Sequence, residues 1–165
     1  MPKYDKSAWH PREYETLDDL SAELDRIQAA HDAGTLETTG NWSEGQIFDH
    51  CSKLIGFSID GFDASAPWFF RMICKVLIKP FLGKMHMKPG IKLPAKAASL
   101  MPAESRSFED GMGMMRAQIA RLNDGVQMTQ NSPIFGKMRH EQWMLVHLSH
   151  CRMHFGYIQF GTTET

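Results

Sequence analysis

The sequence predicts an all-α protein, a four-helix bundle with an extra helix and a long crossover loop inserted between the second and third long helices. Three observations lead there. Apolar residues recur at intervals of three and four almost throughout, no stretch keeps a sustained period of two, and helix start and stop residues stand at the ends of the periodic segments.

The first helix is expected from Thr16 to Ala33, where Leu17, Leu20, Leu24 and Ile27 form one face and Gly34 is placed to end it. The second begins after Asn41-Trp42. Ser43 followed by Gln46 has the form of a capping box, and Ile47, Cys51, Leu54, Ile55 and Phe62 continue as one apolar face. From Trp68 to Leu82 the chain is apolar on most sides, interrupted only by Arg71, Lys75 and Lys79. A segment this short with three cations cannot span a bilayer, which needs about 20 apolar residues. It reads as a largely buried helix with a narrow solvated stripe, the alternative being a helix lying on a membrane surface. Residues 84–104 form a Pro-interrupted connection carrying Lys84, His86, Lys88, Lys92 and Lys96. Spaced lysines of this kind are usually solvated; the other reading is a pocket mouth that attracts an anionic substrate.

A further helix is expected from Ser107, with Asp110 completing a cap pattern, through Phe108, Met112, Met115, Ile119 and Leu122 to Gly125. The last is expected to run from Arg139 to Phe160, roughly 33 Å, although Arg139 is a weak N-cap.

Whole-chain arithmetic narrows the function classes. With 165 residues and 42% hydrophobic residues the chain reads as one domain over residues 1–165, able to build a core without disulfides or a structural metal. Its 18 Lys+Arg against 19 Asp+Glu give no global field for a nucleic acid. Three cysteines without a C-x-x-C pair argue against a disulfide scaffold and a Cys-based zinc site. The polar start, Met1-Pro2-Lys3-Tyr4, has no apolar signal core, so the cytoplasm is the expected compartment.

Eight histidines are the feature to follow. On the last helix His147, His150 and His154 fall within about 60° of one another and make a single stripe. His140-Glu141 begins the zinc-protease pattern H-E-x-x-H, but position 144 is Met. Two histidines at i and i+4 can aim at one cation, and a third ligand must come from elsewhere. His50, between Ile47 and Leu54 on the apolar face of the second helix, is the best source. A core histidine bonded to a carbonyl or carboxylate is the other reading of such a position.

Trp143-x3-His147-x2-His150-x3-His154, approached through Ser132-Pro133-Ile134-Phe135-Gly136-Lys137-Met138, resembles the C-terminal signature of an uncharacterised bacterial branch of the DinB-like superfamily. Trp42-Ser43-x2-Gln46-Ile47-x2-His50 is similar to its second-helix signature. The resemblance implies a four-helix bundle in which His50, His150 and His154 bind a divalent metal. The sequence departs from the family at Met153, where many members have His, and in the run His154-Phe155-Gly156-Tyr157, so substrate-side contacts do not transfer.

Three imidazoles leave coordination positions open and suit a divalent transition metal, zinc or nickel first and then iron. His147, one turn before His150, is the candidate catalytic acid-base group. The resemblance implies a metal-dependent thiol S-transferase or hydrolase; the alternative is a non-enzymatic bundle that binds a metal or an apolar ligand, with or without a membrane. A small-molecule substrate is expected, nucleic acid is not, a membrane partner is disfavoured, and a homodimer stays open.

Overall fold

The structure, a computed structural model, describes residues 9–10, 12–63, 65–82, 87–90 and 95–161. Within them the chain is mostly helical: α1 (Leu17–Asp32), α2 (Glu44–Asp60), α3 (Trp68–Leu77), α4 (Phe108–Asn123) and α5 (His140–Phe155), with two short strands, β1 (Leu36–Thr38) and β2 (Ile158–Phe160). Two 3-10 segments, Lys79–Phe81 and Ala95–Leu100, lie between α3 and α4.

The helix ends follow local chemistry. Thr16 and Ser43 each accept a hydrogen bond from the backbone N–H three residues on, and Asp19 and Gln46 reach back to the cap N–H groups. Ser107 accepts from Asp110 N–H at 3.1 Å. Gly34, at φ 68°, lets the chain leave α1. Arg139, which cannot cap with an acceptor, is served instead by Gln142, whose Oε1 accepts its N–H at 3.1 Å.

Helices α1, α2, α4 and α5 share one apolar core that includes Leu24, Ile27, Ile47, Phe48, Met115, Trp143 and Phe155. Their directions can be read from paired contacts. At one end Gly45 of α2 lies against the backbone of Ser107 and Gly111, and at the other Asp60 pairs with Arg121 at 2.6 Å, so α2 and α4 run parallel. Parallel neighbours in sequence require the chain to return between them, and residues 61–107 do so. Phe48 meets Phe155 edge-on at 5.4 Å while Phe62 stacks on Trp143 at 5.6 Å, so α5 is antiparallel to α2.

The close approach of α2 and α4 depends on two glycines. A Cβ on Gly45 would stand 2.2 Å from the Ser107 carbonyl oxygen, and one on Gly111 would stand 2.4 Å from that of Gly45. Backbone cannot yield as a side chain can. Gly45→Ala should therefore destabilise the protein by about 3 kcal/mol or more. Gly113→Ala, in the same helix α4 but facing open space, should stabilise it by about 0.5–1 kcal/mol. Chemical denaturation checks both, and equal midpoints for the two variants would refute the argument.

Three sequence expectations are corrected. The last helix stops at Phe155, and residues 158–160 pair with β1 in antiparallel register, Leu36 with Phe160 and Thr38 with Ile158. Strands of three residues are too short to show a period of two. Leu54 and Phe62, expected on the buried face of the second helix, are only half-buried, and the fully buried ring there is Phe48.

The third correction is the largest. The segment from Trp68 is helical, as expected, but it is not buried with a solvated cationic stripe. Of α3 only Cys74 is buried, whereas Trp68 is 74% exposed, Val76 62% and Leu77 63%. The helix rests its Arg71–Cys74–Ile78 side on the body of the protein: Ala66 N–H donates to the Pro133 carbonyl at 2.9 Å, and Lys79 donates to the Lys137 carbonyl. Of the loop residues singled out, Lys88 is exposed, while Lys84, His86, Lys92 and the Lys96 side chain lie outside the described residues.

Candidate metal centre

Antiparallel packing of α2 on α5 brings the middle of one helix against the last turns of the other. His50 and His150 face each other there, and His154 follows His150 by four residues, one helical turn on the same side. Ring centroids are 4.9 Å apart for His50 and His150, 4.7 Å for His50 and His154, and 4.5 Å for His150 and His154. Among the described residues, these three bring one ligand nitrogen each within 4.8 Å of one another.

The orientation of His50 is fixed from behind. Its Nδ1 lies 2.6 Å from the carbonyl oxygen of Leu100. A carbonyl only accepts, so Nδ1 carries the proton and Nε2 presents its lone pair forwards. That Nε2 is 3.2 Å from Nε2 of His150. Two nitrogens bound to one tetrahedral ion at about 2.0–2.1 Å stand about 3.3 Å apart, so the spacing fits a shared cation. The other nitrogen of His150, Nδ1, is buried and has no hydrogen-bond partner.

Electrostatics favour the same use. Burial holds His50 below the ordinary histidine value and His150 well below it, and burial together with His50 brings His154 down to about 3. All three rings are neutral at pH 7 and offer lone pairs, the form a metal ligand requires. Three neutral imidazoles suit zinc, nickel, iron or copper and disfavour calcium or magnesium.

The surrounding residues brace this arrangement. Trp42 stacks on His154, with centroids 5.4 Å apart and planes at 16°, and tilts against His50 at 4.9 Å. The fully buried Asp49 accepts from Ala103 N–H at 2.9 Å and from Lys53 at 3.2 Å, with the Arg106 guanidinium at 3.4 Å. Burial pushes its pKa up, but the Ala103 bond, Lys53 and Arg106 outweigh it and hold the carboxyl below its usual value. Gln46 adds two bonds, donating to the carbonyls of Ala103 and Glu104 at 3.0 Å. Together these contacts tie the end of the crossover to α2, which is what sets the Leu100 carbonyl behind His50.

Sequence reasoning named the three histidines and missed these supports. The Leu100 contact has no sequence signal, because any residue supplies a carbonyl. Asp49 did carry one: a carboxylate inside an apolar helical segment must find cationic or N–H partners.

His147 is placed differently from the other three. It lies outside the cluster, stacked on Trp143 at 5.3 Å with planes 7° apart, and its Nε2 is 3.0 Å from the Ser58 hydroxyl. Burial, with a smaller contribution from His140, lowers its pKa to about 3. These surroundings keep His147 neutral at pH 7 and out of solvent. His31 is also remote, stacked on Phe108 at 3.6 Å. Cys51 and Cys151 are buried and hydrogen-bonded to each other, and burial pushes the Cys51 thiol well up, away from thiolate chemistry.

Comparison with known proteins adds the family and little else. No curated protein and no solved structure matches the chain. One family does, over residues 9–160, a span that holds all four long helices and the histidine cluster. The chain thus belongs to the family described as "Protein of unknown function (DUF1569)".

Proposed function

We propose that this chain is a divalent-metal-binding protein in which His50, His150 and His154 hold one transition-metal ion, zinc or nickel first and then iron, inside a DinB-like four-helix bundle. The observation that carries the reading is the convergence of three neutral imidazoles whose ligand nitrogens lie within 4.8 Å of one another, one of the rings oriented by a carbonyl from behind. The DinB-like assignment is supported by the two sequence signatures and by the parallel α2 and α4 with their long return.

The reaction class favoured is a metal-dependent thiol S-transferase or a hydrolase acting on a small molecule. A bound ion of this kind supplies a Lewis acid that lowers the pKa of water or of a thiol. The protein's own residues hold and shield. His50, locked by Leu100, presents Nε2; His150 and His154 each present a ring nitrogen from successive turns of α5; Trp42 covers one side of His154 and His50 and restricts water there. His147 enters as a positioning residue, bridging α5 to α2 through Ser58.

Elemental analysis of protein purified without a polyhistidine tag tests the reading. One equivalent of metal per chain is expected, falling to background in His50→Ala and His154→Ala and unchanged in His31→Ala. Equal metal content in the wild type and the cluster variants would overturn it. Turnover of a thiol with an electrophile, or of amide and ester substrates, by the metal-loaded form alone would establish the enzyme. Its absence, with a fourth protein ligand seen by absorption spectroscopy of the cobalt form, would leave a non-enzymatic binding module.

A further inference from the structure

The outward face of α3 is unusual for a water-soluble surface. Seen down the axis at 100° per residue, Trp68, Met72, Val76, Phe69, Ile73 and Leu77 occupy one continuous sector about 180° wide, and all six are exposed. The polar edge of the helix, Arg71, faces the body, where its Nε is buried. The amphipathic helix is thus mounted inside out. A ten-residue helix whose apolar side meets only water is marginal, because isolated helices below about 12–15 residues rarely hold together without packing. Its apolar sector calls for a cover.

Charge identifies the cover. From residue 64 to residue 103 the sequence contains no Asp or Glu, and every charged side chain is Arg or Lys. The chain as a whole carries a formal net charge of -1, so the rest is acidic and the positive charge is concentrated in the stretch of sequence that contains this helix. Lys75 is exposed beside the apolar sector, as is Lys88 further along. A second copy docked through the same face would set like charges against each other, whereas an anionic lipid surface offers both an apolar layer and opposite charge. Trp68 at the start of the helix suits the headgroup boundary, where indole rings concentrate. No helix among the described residues is long and apolar enough to cross a membrane, so the contact is with one leaflet.

We infer that α3 is an interfacial anchor that docks the protein, face down, on an anionic membrane surface. The sequence by itself disfavours a membrane partner; the outward direction of the apolar face reverses that expectation.

Vesicle co-sedimentation tests the inference. With phosphatidylcholine vesicles containing about 30 mol% phosphatidylglycerol at low salt, the wild type should pellet, and with pure phosphatidylcholine at least about tenfold less should bind. Lys75→Gln should weaken partitioning about fivefold, the contribution of one cation near such a surface. The double change Val76→Asp with Leu77→Asp should abolish binding while the circular dichroism melt of the protein stays in place, since both side chains are exposed. Failure of the wild type to pellet would overturn the inference, as would undiminished binding of the double variant. A concentration-dependent dimer in sedimentation velocity, dissolved by the same double change and without vesicle binding, would assign the face to a second copy instead.

Discussion

Zinc added to the metal-free protein should raise its melting temperature by roughly 5–10 °C once the free ion reaches about a hundred times its dissociation constant. A ligand that binds only the folded state stabilises it by about 2.7 kcal/mol at that concentration, and a domain of this size shifts by about 2–4 °C per kcal/mol. His150→Ala should show no such rise. The reason is ligand number: the three rings stand 4.5 to 4.9 Å from one another, so the loss of His150 leaves only His50 and His154 to hold the ion. His31→Ala, with its ring stacked on Phe108, should respond like the wild type. Differential scanning calorimetry with and without zinc makes the comparison. The same rise in His150→Ala as in the wild type would place the ion elsewhere.

The second large effect is acid lability, measured on chelator-treated protein so that metal linkage does not enter. His147 is buried, and burial lowers its pKa to about 3, whereas in the unfolded chain it titrates near 6.5. Between those values the unfolded state binds the extra proton and the folded state does not, so stability rises with pH. The contribution is fully present above about pH 6.5 and is lost as the pH falls toward 3, at about 1.4 kcal/mol per pH unit. From pH 6.5 to 4.5 this single residue should remove about 2 kcal/mol, a large part of the 5–15 kcal/mol that holds a typical domain folded. Burial lowers His50, His150 and His154 in the same direction, and Asp49 adds to the loss below about pH 4, where its depressed carboxylate would have to be protonated. His147→Gln, which keeps a donor for Ser58, should reduce the slope of unfolding free energy against pH by about 1.4 kcal/mol per unit in that window. An unchanged slope would show that His147 is protonated in the folded protein.

Both predictions rest on residues that the sequence placed on one helical stripe. Periodicity located α1, α2, α4 and α5 because each alternates apolar and polar residues at helical spacing, and the caps at Thr16, Ser43 and Ser107 marked where three of them begin. His150 and His154 were legible as a pair for the same reason, since i and i+4 on a helix share a face. The end of α5 was not legible. Its apolar residues continue past Phe155 into Ile158 and Phe160, and only pairing with β1, distant in sequence, turns that tail into a strand. A three-residue strand is specified by its partner rather than by its own pattern.

What the sequence by itself determined is local: which segments are helical, which faces are apolar, and which histidines lie in register along one helix. Tertiary structure decided what those faces meet. It set His50 against His150 because α5 packs antiparallel on α2, and supplied the Leu100 carbonyl that orients the ring. It left His147 outside the cluster, on Ser58 and Trp143. It turned the apolar side of α3 outward, where amphipathic spacing had suggested a buried helix. Helical periodicity records that a segment has two unlike sides, but which side faces the core depends on the surfaces available to cover it, and those belong to residues far away in the chain.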